Sequence, residues 1–84
     1  MISGRVQGVF FRGEAWRAAL CTRVAGWIRN TRDGRVEAVF EGNAEDVDQM
    51  IRWCRTGSPA ARVKSVEVEN LEYRGDIDSF SVRY

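Results

Sequence analysis

An α+β sandwich, with two helices on one face of a mostly antiparallel sheet, is the fold class that this 84-residue sequence predicts. Three observations predict it. Apolar residues recur at helical spacing in two segments, around Ala15–Leu20 and Val47–Cys54. The stretches between and after them alternate or run apolar in the manner of strands. Asp33-Gly34, Gly42-Asn43 and Gly57 followed by Pro59 punctuate the chain at short intervals.

Taken in order, Met1 to Val6 is a short strand, and Gly4 and Gly8 frame a turn-prone loop. A helix is expected from near Arg12 to about Val24. Ala15, Trp16, Ala19 and Leu20 form its apolar stripe, with Glu14, Arg17 and Arg23 elsewhere on the circumference. Ala25 to Asn30 follows as a strand, Thr31-Arg32-Asp33-Gly34 as a hairpin turn, and Arg35 to Glu41 as the return strand. Val36, Ala38 and Phe40 share one face of it. Asn43 is a good helix N-cap, and Asp46 three residues on completes a capping-box-like start. Val47, Met50, Ile51 and Cys54 make the cleanest helical stripe in the chain, and Gly57 ends that helix. Val63 to Tyr73 is a long valine-rich strand, Gly75-Asp76 a turn, and Phe80, Val82 and Tyr84 alternate in a final strand. The order strand, helix, strand, strand, helix, strand, plus a terminal strand, is the βαββαβ ferredoxin-like arrangement. Trp16, Leu20, Val47, Met50 and Ile51 are expected to pack onto its sheet.

Composition narrows the chemistry. With 44% hydrophobic and 30% charged residues and one proline, the chain is an ordinary globular domain. Its formal net charge of +1 provides no global field for nucleic acid or an anionic membrane. No apolar run approaches the roughly 20 residues that span a bilayer, and no signal-peptide pattern opens the chain. Cys21 and Cys54 have no metal-type spacing and are expected as free, packed thiols in a reducing cytoplasm. The chain has no histidine, which removes imidazole bases and the commonest metal ligand. Catalysis would have to run on arginine, amides, carboxylates or backbone N–H groups, without metal or other cofactor.

The informative stretch is the loop from Gln7 to Arg12. A glycine-containing turn between a strand and a helix N-terminus can aim successive backbone N–H groups at an anion, and the helix dipole adds positive charge there. Arg12 can present a planar fork to phosphate oxygens. Alone, such a glycine loop is more often an ordinary strand–helix turn with a surface arginine.

The continuous run Gly4-Arg5-Val6-Gln7-Gly8-Val9-Phe10-Phe11-Arg12 resembles the signature loop of the acylphosphatase family. Gly26-Trp27-Ile28-Arg29-Asn30, followed by Asp33-Gly34-Arg35-Val36-Glu37, resembles its second signature at the family's spacing. Ser58-Pro59-Ala60-Ala61-Arg62-Val63 and Phe80-Ser81-Val82-Arg83-Tyr84 are also similar to family positions, so the resemblance covers nearly the whole of 1–84 as one domain. It implies hydrolysis of an acyl phosphate to carboxylate and inorganic phosphate. The family's catalytic arginine and asparagine would fall on Arg12 and Asn30. The amides of Gln7, Gly8, Val9, Phe10, Phe11 and Arg12 would cradle the phosphate. The substrate's own phosphate would accept the proton of the attacking water. The expected partner is thus a small-molecule acyl phosphate, with no nucleic acid and no membrane, bound by a monomer.

Two departures from the family pattern bear on folding. Only Met1-Ile2-Ser3 precede Gly4 where members carry several more residues, so the first strand is abbreviated or the natural chain starts earlier. Arg23 stands where the family usually has glycine. In a left-handed position it would cost up to roughly 1 kcal/mol, unless the helix ends differently. Asn30 taken alone is an ordinary turn-adjacent asparagine. Arg5, Arg29 and Arg32 are as readily solvated surface charges as they are steering charges. Trp16 is expected in the core, Trp27 half-buried, and Trp53 at the edge of its stripe. The competing function is a non-catalytic module that binds phosphate or a phosphometabolite on the same fold. An RNA-binding domain is disfavoured by the charge and by strands that lack stacking aromatics.

Overall fold

The computed structural model describes residues 1–70 and 77–83. The elements are β1 (Ile2–Arg5), α1 (Phe11–Thr22), β2 (Ala25–Asn30), β3 (Val36–Glu41), α2 (Ala44–Thr56), β4 (Arg62–Val66) and β5 (Phe80–Arg83). The sheet order is β4-β1-β3-β2-β5. β1 lies antiparallel to β3 and β4, β2 antiparallel to β3, and β5 parallel to β2. Each helix therefore carries the chain over one intervening strand, α1 from β1 to β2 and α2 from β3 to β4. The ferredoxin-like architecture expected from the element order is present.

The core lies between the helices and the sheet. Phe11, Ile28, Met50, Val6, Val36 and Cys54 are its largest fully buried side chains. Phe11 meets Trp53 edge-on with ring centroids 5.1 Å apart, joining α1 to α2. β2 shows the strand period plainly: Gly26 and Ile28 are buried, and Asn30 follows on the same side. Trp27, on the other face, carries the Arg83 and Arg29 guanidinium groups 4.6 and 5.7 Å from its ring centroid. A Cβ on Gly26 would lie 1.8 Å from the Val39 carbonyl oxygen, and its φ of +140° is open only to glycine. Gly26 is therefore a strand-packing requirement.

Several expectations need correction. The buried stripe of α1 is Phe11, Ala15 and Ala19; Trp16 and Leu20 are 42% and 58% exposed. Phe11, anchored against Trp53, sets the helix rotation. Positions four and eight residues later then face the sheet, and Trp16 and Leu20 fall one step round the helix. On α2, Met50 and Cys54 are buried and Val47 packs against the core, while Ile51 is half-buried. Asn43 precedes α2 but makes no side-chain cap hydrogen bond, so no capping box with Asp46 forms. The strand expected over Val63 to Tyr73 ends at Val66 in β4, and residues 67–70 carry no strand. Its distal part, the Gly75-Asp76 turn and Tyr84 lie outside the described residues. Cys21 and Cys54 are both free thiols, but only Cys54 is packed, its pKa pushed up to about 12 by burial; Cys21 is exposed. Arg23 does take the left-handed C-cap position of α1, at φ 58°, with its N–H donating to the Ala19 carbonyl.

Candidate active site

The chain leaves β1 at Arg5 and enters α1 at Phe11, and the connecting loop is shaped by two left-handed residues. Gly8 has φ 71° and Phe10, at the N-cap of α1, has φ 60°. A Cβ on Gly8 would touch nothing within 4 Å, so this glycine is needed for its torsion and not for packing. A non-glycine residue in the left-handed region costs on the order of 1–2 kcal/mol. Phe10 also offers no side-chain acceptor to the helix start. The first helical bond is Glu14 N–H to the Phe10 carbonyl at 3.0 Å, which leaves the N–H groups of Phe11, Arg12 and Gly13 without intrahelical acceptors.

Two side chains hold the loop from opposite sides. The Gln7 amide donates to the Thr31 and Arg35 carbonyls at 2.7 and 2.9 Å, fastening the loop to the β2–β3 hairpin. The hydroxyl of Ser58, only 3% exposed, donates to the Val9 carbonyl at 2.6 Å. A trans peptide points its C=O and N–H in opposite directions. Ser58 therefore fixes the direction of the Phe10 N–H by holding the Val9 carbonyl away from it. Arg12, in the first turn of α1, donates from Nη1 to the Arg83 carbonyl of β5 at 3.3 Å.

A cavity of about 380 Å³ opens over this loop, lined by Val6, Gly8, Phe10, Phe11, Arg12, Gly13, Asn30 and Val82. It brings Arg12 and Asn30 together although 18 residues separate them. Gly8, Phe10, Phe11 and Arg12 contribute walls. Gln7 turns its side chain to the hairpin, and Val9 is buried in the core. Asn30 Oδ1 is buried, and among the described residues nothing donates to it. An orphaned buried acceptor in a cavity wall is costly unless a ligand or water uses it.

Asn30 also borders a second cavity of about 490 Å³, shared with Arg29, Thr31 and Arg32. Arg29 there is tied to Glu37 at 2.6 Å across the strands. In the hairpin, the Arg35 N–H donates to Thr31 Oγ1 at 3.0 Å, and the Thr31 hydroxyl donates to the Asp33 carboxylate. Arg35 pairs with Asp33 at 2.6 Å, and the hydrogen bonds from Arg35 and Thr31 hold the Asp33 carboxyl well below the usual carboxylate range. Thr31 and Asp33 thus act as hairpin chemistry, a rigid mount for Asn30. Among the described residues no group of three or more Cys, Asp or Glu side chains could hold a metal ion, and no helix is long and apolar enough to cross a membrane.

Sequence reasoning did not find the two clamps. A glutamine and a serine beside turn glycines give no sign that their partners lie 24 and 49 residues away.

Comparison with known proteins bears on the family and the fold. The acylphosphatase family model matches residues 1–82. An acylphosphatase of Pelotomaculum thermopropionicum is 49% identical over all of this chain and 91% of its own length. One of Syntrophobacter fumaroxidans is 51% identical over 99% of this chain and 86% of its own. The crystal structure of the Bacillus subtilis acylphosphatase superposes with a TM-score of 0.94 at 34% identity, covering 99% of this chain and 92% of that one. With the fold, the loop and the full-length likeness in accord, the chain belongs to the acylphosphatase family and is an enzyme that hydrolyses an acyl phosphate to carboxylate and inorganic phosphate.

Proposed function

We propose that Arg12 and Asn30 are the catalytic residues of this hydrolysis and that the amides of Gln7, Gly8, Val9, Phe10, Phe11 and Arg12 form the phosphate cradle. The observation that carries the assignment is the single cavity that joins the uncapped helix start, the Arg12 guanidinium and the orphaned Asn30 Oδ1. N–H groups at the helix start and the fork of Arg12 bind the non-bridging phosphoryl oxygens and stabilise their charge in the transition state. Asn30 is neutral and cannot act as a base at pH 7. Its Oδ1 accepts a hydrogen bond from one water and aims the lone pair of that water at phosphorus.

As the P–O bond to the acyl group breaks, its electron pair leaves on a carboxylate whose acid has a pKa of about 4. No general acid is needed. The proton of the attacking water passes to a phosphoryl oxygen of the substrate. Positioning and charge stabilisation carry the reaction, as in phosphoryl transfer generally.

The reaction as proposed needs no metal, since Arg12 and the amides supply the positive charge, and the chain has no histidine. The enzyme is proposed to work as a monomeric single domain in the cytoplasm without nucleic-acid partners, a reading supported by the free thiols and the net charge of +1. Hydrolysis of benzoyl phosphate in excess EDTA tests the assignment. The expected outcome is chelator-resistant turnover that collapses in folded Arg12→Ala and Asn30→Ala. A folded parent that binds phosphate but hydrolyses nothing would instead favour the binding module.

A further inference from the structure

The phosphoryl half of the substrate occupies the polar groups of the cavity, and the acyl half has to lie along what is left. In-line displacement places the leaving oxygen opposite the attacking water. With that water at Asn30, the acyl group points away from Asn30. It therefore also points away from the second cavity, which Asn30 shares with Arg29 and Arg32. On the remaining walls the non-polar side chains are Val6, Phe10, Phe11 and Val82, of which Val6 and Phe11 are buried.

Phe10 is the anomaly among them. Its side chain is 83% exposed, the most exposed of the large hydrophobic residues Phe10, Trp16, Leu20 and Val68. It does this at φ 60°, where glycine or asparagine is the usual occupant. The core does not explain a phenylalanine that contributes almost nothing to the interior. Its neighbour Phe11 is 1% exposed and does that work.

Resting on the assignment of Arg12 and Asn30 above, we propose that the Phe10 ring is the acyl-recognition element of this enzyme, and that the preferred substrates carry a flat or extended apolar acyl group. A ring at the mouth of the cavity offers a face for an aromatic acyl group to stack on, shielding apolar surface of both partners from water. A two-carbon acyl group is too short to cover it. A carboxylate-bearing one would have to desolvate its charge against it.

The test is kcat/KM for benzoyl, acetyl and succinyl phosphate in the parent, Phe10→Asn and Phe10→Leu. Asparagine tolerates the left-handed torsion, so the loop keeps its shape while the ring is lost. The expected result is a fall of about tenfold in the benzoyl-to-acetyl ratio for Phe10→Asn, and of about threefold for Phe10→Leu, which keeps an apolar contact. Reading the ratio removes any change in the phosphate cradle common to both substrates. A ratio within about twofold of the parent in Phe10→Asn, or a parent preference for succinyl phosphate, overturns the proposal. An Arg12→Ala variant that still turns over all three substrates strikes the cradle assignment itself and the proposal with it, an outcome distinct from an unchanged ratio.

Discussion

The two helices begin at opposite ends of the sheet, and their first turns are built to opposite ends. α2 starts behind Asn43 in an extended conformation and carries Glu45 and Asp46 in its first turn, so its own side chains answer the partial positive charge of the helix end. α1 starts behind a left-handed Phe10 whose side chain can accept nothing, and it carries Arg12 in the same place, with Glu14 as its one first-turn acid. Both helices close their first bond at 3.0 Å, Val47 N–H to Asn43 and Glu14 N–H to Phe10. The backbone is equivalent; the electrostatics are not. Neither start has a side-chain cap, but the positive end of α2 is answered by its own Glu45 and Asp46, while that of α1, on the assignment proposed above, is left for the substrate phosphate.

Charge reversal is the most direct way to break this contrast. Arg12→Glu is expected to lower kcat/KM on benzoyl phosphate by about 10³-fold or more, since it removes one donor and opposes the phosphate. Asp46→Arg at α2 is expected to leave kcat/KM within about twofold and to cost only about 0.5–1 kcal/mol in urea unfolding. Equal losses of activity in the two variants would abolish the distinction.

The Ser58 clamp sharpens it, because it acts on the loop that leads into α1. Ser58→Val and Ser58→Thr have nearly the same shape and differ in the hydroxyl that holds the Val9 carbonyl. The valine variant is expected to bind inorganic phosphate about tenfold more weakly than the threonine variant and to unfold about 1–3 kcal/mol more easily. Equal phosphate affinities in two equally folded variants would remove Ser58 from the positioning of the loop.

Smaller effects are expected at the ends that serve stability alone. Neutralising α2 with Glu45→Gln and Asp46→Asn is expected to cost about 1 kcal/mol together, with turnover unchanged. At the far end of α1, Arg23→Gly relieves the left-handed torsion at φ 58° and is expected to raise stability by up to about 1 kcal/mol, again without altering turnover. Both are read from urea midpoints.

These contrasts also show what the sequence could display. The Asp33-Gly34 hairpin, the stripe ending in Cys54 and the alternation in β2 and β3 depend on neighbours in the chain, and local patterning exposes them. The rotation of α1 was not legible. Ala15 and Trp16 suit a buried face equally well until Phe11 meets Trp53 on the other helix. β4 stops at Val66 although valine continues at Val68, because strand length follows the partner and β1 begins at Ile2, which pairs with Val66. For the site, Arg12 and Asn30 came into view through a family likeness, whereas the roles of Gln7 and Ser58 depend on who sits across from them.

The bonds that hold the loop between β1 and α1 are all long in sequence: Gln7 to Thr31 and Arg35, Ser58 to Val9, and Arg12 to Arg83, separations of 24, 28, 49 and 71 residues. Loop closure over such distances comes late in the folding of a small domain. A half-assembled chain with β1, α1 and β2 in place would own both proposed catalytic residues, Arg12 and Asn30, and still lack the loop shape. Recovery of activity during refolding therefore marks the docking of the second half of the chain and of β5, and the enzyme's own turnover becomes a clock for the completion of its topology.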